Sequence, residues 1–328
     1  MRALVTGATG LLGRSLTDLL LEKGVSVRAL IRPTSDTHHL TAAGAEIVHG
    51  DAVDVDEETL ARAVHSVDSL FHLAGYLTVG APFGAGDDDP HYQIVNVDFT
   101  DRLLAAAHTA GVRRFLFASS SSVYDPDAPV PTPETAPRRP RSPYGRSKLA
   151  AEERVRAYQE RGLPTTIVRP AVIYGPGDRY FTPTALQLAR LPLLPLVDGG
   201  RRLFDLVYVR DVAELLWQAA RSPAAAARAY NAGPGTPTTL RHLVRVFRQL
   251  TDRGPRIVPV SPAWARRSSA LLRPLLARLV PGAGAALTPA GVDLMSRDLH
   301  LDMARAAREL DFHPRFSLQQ GLAATLAS

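Results

Sequence analysis

Arg2-Ala3-Leu4-Val5-Thr6-Gly7-Ala8-Thr9-Gly10-Leu11-Leu12-Gly13 is the stretch whose reading decides the fold. Residues 2–6 form an apolar strand, three glycines follow at once, and Arg14–Lys23 reads as a helix stopped by Gly24. Val25–Ile31 reads as a second strand. Strand, glycine turn, helix, strand is the order of a dinucleotide-binding βαβ unit. Gly7 permits the tight turn, Gly10 lets backbone N–H groups approach a pyrophosphate, and Gly13 lets helix and strand pack closely. The helix N-terminus supplies positive potential to the anion. A lone glycine triplet is weak evidence. Set at the first strand of such a unit, it points to nucleotide binding rather than to a merely structural turn.

The residue ending the second strand separates the dinucleotides, because a carboxylate holds the ribose diol of NAD and a cation accommodates the extra phosphate of NADP. Here the chain reads Arg28-Ala29-Leu30-Ile31-Arg32-Pro33-Thr34-Ser35, with no acid until Asp36. Arg32, assisted by Thr34 or Ser35, is expected to bind that phosphate, which favours NADP(H) over NAD; an ordinary surface arginine is the competing reading. A third strand, Glu46–Val48, ends in Gly50-Asp51, and Asp51 can accept from an adenine amine. The helix Asp56–Ala63 leads to a fourth strand, Ser69–Leu73, and then to Ala74-Gly75. Residues 76–92 are irregular, and a connection of that length reads as a substrate-side flap. A helix over 93–110 precedes a fifth strand, Arg114–Phe117, which enters the serine run 119–122. Serines at the carboxyl end of a parallel strand lie where such sheets bind ligands.

Further along stands Ser142-Pro143-Tyr144-Gly145-Arg146-Ser147-Lys148. Ser142 suits an N-cap and Pro143 the first helical position, and the helix runs to Arg161 before Gly162 and Pro164 end it. Tyr144 and Lys148 are four apart and share a helix face. An ammonium beside a phenol lowers its pKa from about 10, making it a usable acid or base. Ordinary surface residues at the same spacing are the alternative. Of 38 basic residues, however, only Lys23 and Lys148 are lysines. That exception points to a task a guanidinium cannot do, such as reaching a ribose hydroxyl with a compact ammonium.

With 328 residues, 45% apolar and 21% charged, the chain can bury a substantial core. No apolar run approaches the ~20 residues of a membrane span, and the N-terminus is too quickly broken for a signal peptide. There are no cysteines, so disulfides, thiol nucleophiles and thiolate metal sites are excluded, and a cytoplasmic protein is expected. The net charge of +6 is spread along the chain without a basic run, which argues against nucleic acid.

These features together resemble the extended short-chain dehydrogenase/reductase family. They are Thr6-Gly7-x-x-Gly10-x-x-Gly13, Asp51, His72-Leu73-Ala74-Gly75, Asn96-Val97, the serine run, Tyr144-x-x-x-Lys148 and Arg169-Pro170, followed by Ile173–Asp178 and Val207–Val212. The resemblance covers residues 1 to about 235, with a looser match at Ala306–Leu310. It implies that Tyr144 is the acid/base, that Lys148 holds the nicotinamide ribose, and that Ser120 hydrogen-bonds the substrate oxygen, with Ser119 or Ser121 if the register shifts by one. It places the cofactor on Thr6, Gly7, Thr9, Gly10, Leu11, Leu12, Gly13, Arg32, Asp51, Leu73, Ala74, Gly75, Asn96, Tyr144, Lys148, Pro170 and Ile173. Asp98-Phe99 departs from the small residue and glycine common there, which should affect helix packing only. A homodimer through helices 93–110 and 143–161 is also implied.

The expected fold class is α/β: a Rossmann doubly wound parallel sheet over residues 1–170, rejoined by 205–221, with a smaller substrate-binding lobe over most of 171–328. Phe204 stands where nucleotide-sugar members of the family carry a diphosphate-binding arginine, although Arg201 or Arg202 could substitute. The apolar, arginine-studded stretches 263–267 and 271–280 read as a buried helix with surface arginines, an apolar lid or a face that touches membrane. Leu287-Thr288-Pro289 through Arg305 resembles the hydroxysteroid dehydrogenase and dihydroflavonol reductase branch. The leading expectation is an NADP(H)-dependent ketoreductase or alcohol dehydrogenase for a hydrophobic cyclic substrate. The alternatives are a nucleotide-sugar epimerase retaining NAD and a non-catalytic dinucleotide sensor.

Overall fold

The computed structural model describes residues 1–78, 89–179, 181–267, 292 and 295–327. Most of the expected flap, the segment 271–280 and Leu287-Thr288-Pro289 lie outside the described residues.

The first half alternates strand and helix: β1 (Arg2–Thr6), α1 (Leu11–Glu22), β2 (Ser26–Ile31), α2 (His38–Ala42), β3 (Glu46–His49), α3 (Glu57–Val64) and β4 (Ser69–His72). Then come α4 (His91–Gln93), α5 (Phe99–Thr109), β5 (Arg114–Ala118), α6 (Pro143–Glu160) and β6 (Thr165–Pro170). The second half holds β7 (Val172–Tyr174), α7 (Phe181–Ala189), β8 (Leu193–Val197), β9 (Leu203–Phe204), β10 (Leu206–Tyr208), α8 (Val209–Arg221), β11 (Arg228–Ala232), β12 (Thr238–Thr239), α9 (Leu240–Thr251), β13 (Arg256–Val260), α10 (Ala304–Leu310) and α11 (Leu318–Leu326).

Seven strands form one parallel sheet in the order β11-β6-β5-β4-β1-β2-β3. Near-continuous apolar strands such as Phe115-Leu116-Phe117 need cover on both faces, and helices supply it. One core lies under α1 and α8, with Leu16, Leu20, Leu215 and Leu216 fully buried. The other lies under α3, α5 and α6, with Leu60, Leu103, Leu104 and Val155 fully buried. The chain direction across the sheet reverses between β1 and β4, opening a crevice at their carboxyl ends where such folds hold ligands. This is the Rossmann doubly wound fold.

The second half departs from one expectation. Strand 206–208 does not rejoin the large sheet; β10 pairs with β7 in a two-stranded sheet. α8 does pack against α1, but the strand that completes the sheet is β11, beside β6. The remaining strands pair as β12-β9 and β13-β8. A third core, around Tyr174, Leu243, Phe247 and Leu322, holds this lobe together.

Two polar residues pin the sheet from within. Arg28, within the strand read from sequence as Val25–Ile31, is buried, and its Nη1 donates to the carbonyls of Arg62, Ala63 and His65 while its Nε lies 2.9 Å from Glu46. It thereby satisfies the carbonyl end of α3, where a cation is favoured. Arg169 on β6 is also buried and forms a bidentate pair with Glu152 of α6, both bonds at 2.8 Å. Removing Arg169 takes away the one fully buried cation on Glu152, leaving that carboxylate only the part-exposed Arg138 and Arg156 at 3.2 and 2.9 Å. Arg169→Met should therefore cost about 3–5 kcal/mol in urea unfolding, and adding Glu152→Met should recover much of it. A single variant as stable as the parent would refute this account.

Candidate active site

The glycine turn lies against the segment after β4. Gly7 takes φ +70, and a Cβ there would stand 2.7 Å from the Ala74 nitrogen. A Cβ on Gly13 would stand 2.1 Å from the Gly7 carbonyl oxygen, so α1 can approach β1 only without one. Gly10 is the N-cap of α1 and brings no side chain to cap it. The N–H groups of the first turn, from Leu11 to Gly13, therefore remain for an anion. Arg14 Nε donates to the Thr9 carbonyl at 3.2 Å and steadies the turn. This cradle fits a pyrophosphate.

Thr6 joins the two sides of the crevice. Its hydroxyl accepts from the backbone N–H of Leu73 and of Ala74, each at 3.2 Å, and bonds His72 Nδ1 at 2.7 Å. On its other side His72 Nε2 meets Thr100 Oγ1 at 2.8 Å, and Thr100 donates its own proton to the Asn96 carbonyl. The network therefore assigns the tautomer: Nε2 carries hydrogen and Nδ1 accepts from Thr6. Burial, assisted by the Lys148 charge, lowers the His72 pKa to about 3. The ring is neutral.

Asn96 lies in a π-helical turn, Ile94–Asp98, joining α4 to α5. Its amide donates to the Tyr76 carbonyl at 3.1 Å and to Ser147 Oγ at 2.9 Å, while its oxygen accepts from the Tyr76 N–H at 2.6 Å. Both amide hydrogens are thus committed within the protein, which gives Asn96 a positioning place beside Gly75 and Lys148. The Asp98-Phe99 departure is structural: Phe99 is buried against His72, with ring centroids 5.5 Å apart. Arg32 sits exposed just past β2, and Asp51 is half-buried after β3 with one oxygen accepting from the Val53 N–H. Pro170 closes β6 and Ile173 lies in β7.

Tyr144 and Lys148 lie one turn apart at the start of α6, which Ser142 caps through the Gly145 N–H at 3.0 Å. The serines of the run divide their tasks. Ser119 donates to Glu152 at 2.6 Å in the core, Ser121 opens a 3-10 turn, and Ser120 hydrogen-bonds the Tyr144 phenol. Lys148 is buried, whereas Lys23 is exposed. The Lys148 ammonium stands 4.4 Å from the centre of the Phe117 ring, and a Cβ on Gly75 would be 3.6 Å from it.

The expectation of a lowered phenol pKa does not hold for the protein alone. Burial pushes Tyr144 up to about 12, opposed by the Ser120 hydrogen bond and reinforced by Tyr92, with no contribution from Lys148. Burial likewise brings Lys148 down to about 8, against the pull of Glu152. The Lys148 ammonium instead stands against Phe117 and beside Gly75.

Sequence reasoning missed the wall beside Tyr144. Buried Tyr92 has its ring centre 6.5 Å from that of Tyr144, its hydroxyl bonds Thr78, and its ring meets Tyr76 edge-on. Tyr76 in turn bonds Asp89. Nothing periodic marks these residues. Glu152, a further turn beyond Lys148, could have been found from the i, i+4 spacing.

A doubly wound sheet, a pyrophosphate cradle and a Tyr–Lys pair define a nucleotide-dependent enzyme of the short-chain dehydrogenase/reductase type. The chain belongs to the NAD dependent epimerase/dehydratase family, whose profile matches residues 3–233. It is 32% identical over 326 residues to the 4-hydroxy-2-methyl-3-oxo-4-farnesyl-3,4-dihydroquinoline-1-oxide ketoreductase of Stigmatella aurantiaca, covering 98% of this chain and 95% of that one. It is 30% identical to the 2-alkyl-3-oxoalkanoate reductase of Stenotrophomonas maltophilia, covering 100% and 99%. Among solved structures, MoeE5 in complex with UDP-glucuronic acid and NAD superposes with a TM-score of 0.77 at 28% identity, covering 100% and 98%.

The depressed His72 pKa sets a stability window. Between its unfolded value near 6.5 and about 3, the unfolded chain binds the extra proton, so stability falls as pH falls. Each unit below about pH 6 should cost about 1.4 kcal/mol from this group. Urea midpoints of His72→Asn should be flatter with pH over that window than those of the parent; parallel curves would contradict the assignment.

Proposed function

We propose that the chain is an NADP(H)-dependent ketoreductase or alcohol dehydrogenase acting on a hydrophobic, cyclic ketone or alcohol. The observation that carries this reading is the aromatic patch in the second lobe where a nucleotide sugar would require a cation. Phe204 lies 6.5 Å from Phe181, and Phe181 lies 6.4 Å from Tyr174. Arg202, a candidate substitute, faces Asp198 at 3.3 Å and Asp298 at 3.7 Å. The ketoreductase and oxoalkanoate reductase relatives support the same class.

NADPH, when bound, supplies the hydride. Ser120 would hydrogen-bond the carbonyl oxygen, and Tyr144 would give that oxygen its proton. A phenol held protonated, at about 12, suits the acid role in reduction. Lys148 would reach the nicotinamide ribose from beneath Gly75, and exposed Arg32 would meet the adenosine phosphate. The helices α5 and α6 pack side by side, and a homodimer through them belongs to the same proposal.

The structural likeness to a protein bound to UDP-glucuronic acid and NAD favours one second reading, an epimerase that retains NAD. Denaturing freshly purified protein separates the two. The reductase predicts an empty site that binds NADPH more tightly than NADH; stoichiometric released NAD would overturn it. Arg32→Gln should then lower that preference about tenfold or more, as expected for losing a charge-assisted contact. Tyr144→Phe should reduce kcat by about 10²–10⁴-fold on a cyclic ketone with cofactor affinity retained. Undiminished turnover would sink the acid/base role.

A further inference from the structure

A cleft of about 470 Å³ opens at the outer edge of the sheet, lined by none of the residues assigned to cofactor or chemistry above. Leu149, Glu153, Arg156 and Gln159 line it from α6, at helical spacing on a stripe adjoining that of Tyr144, Lys148 and Glu152. Arg138 enters from the preceding loop, Arg169 from β6, Arg228 from β11 and Arg305 from α10.

The charge arrangement is unusual. Arg138, Arg156 and Arg169 all converge on the single Glu152 carboxylate, at 3.2, 2.9 and 2.8 Å, leaving a local surplus of two positive charges. Arg305 meets Glu134 only at 3.7 Å, and Arg228 meets Glu309 only at 3.9 Å. Glu153 is the other carboxylate in the lining, and it is exposed. Burial lowers the Arg156 pKa; Glu152 opposes that, and Arg138 and Arg169 add to it by repulsion. A guanidinium fork presents five donors matched to phosphate oxygens; Arg138, Arg156, Arg228 and Arg305 have donors to spare, whereas buried Arg169 spends its own on Glu152, Tyr124 and the Glu134 carbonyl.

We propose that this cleft binds a small, multiply charged phosphate anion, separately from the dinucleotide. Its volume admits more than a single ion, and a diphosphate spans the arginines from opposite walls. The surplus charge that Glu152 leaves uncompensated is what recruits it.

Inorganic pyrophosphate is the probe, titrated at matched ionic strength with the nicotinamide dinucleotide saturating, so that the glycine turn is occupied. Pyrophosphate should raise the melting temperature by about 2 °C or more. In the Arg228→Gln/Arg305→Gln double variant its affinity should fall at least about tenfold, with dinucleotide affinity unchanged. Glu153→Gln removes an exposed carboxylate and should tighten binding, which keeps the test decisive even if the double variant fails to fold. A parallel ADP titration tells a free phosphate ligand from a nucleotide, because tighter ADP binding abolished by the same variants also supports the site. No shift in the parent, a response surviving the double variant, or an unchanged response in Glu153→Gln would each overturn the proposal.

Discussion

The buried Glu152–Arg169 pair is the interaction on which the arrangement of this molecule depends. Glu152 is fully buried, and its carboxyl is held at about 2, the penalty of burial overcome first by the Arg169 hydrogen bonds. Through Ser119 it fixes α6 to the end of β5, and through Arg169 to β6. Arg169 also donates to the Tyr124 hydroxyl, which donates to Asn231 on β11, and the Asn231 amide reaches the carbonyls of Thr132 and Asp302. One charge pair thus ties the helix bearing Tyr144 and Lys148 to two strands and to the distant C-terminal segment. A pair of this kind contributes little net stability but makes any other packing costly, because misplacement would leave a bare charge in the core.

A second network, built on neutral groups, does the same for the cofactor side. Thr6, His72, Thr100 and Asn96 form an unbroken hydrogen-bonded run from the glycine turn to the π-helical turn. Asn96 then holds Tyr76 and Ser147, and Ser147 donates to the Tyr144 carbonyl. The cradle and the Tyr–Lys pair are therefore two ends of one connected wall. His72, Lys148 and Tyr144 share a single dominant influence, desolvation, and each is shifted toward its uncharged form. Near neutral pH His72 and Tyr144 are uncharged, while Lys148, at about 8, keeps most of its charge.

The second lobe follows another rule. Its strands are short and paired two by two, and its order comes from a compact aromatic and aliphatic core rather than from an extended ladder. Gly321 shows how close that packing is: a Cβ there would lie 2.2 Å from the Tyr174 hydroxyl. On the proposed function, this lobe would set substrate preference, with Phe204 standing in place of a cation.

The sequence by itself determined the glycine turn, the alternation of β1 to β6 with helices, and the cap and spacing that put Tyr144 and Lys148 on one face. These are local features, fixed by backbone sterics, capping and periodicity within a few residues. The two lysines differ in a way no local pattern shows: Lys148 is buried against Phe117 and Gly75, whereas Lys23 is exposed. Tertiary structure alone decided that β11 rather than strand 206–208 completes the sheet, that Arg28 is an interior clamp, and that burial rather than the ammonium shifts the phenol. It also decided which serine faces Tyr144 and which faces Glu152. Each of these turns on desolvation and on partners 17 to 107 residues away, such as Arg169 for Glu152 and Asn231 for Tyr124, and no local pattern carries that information.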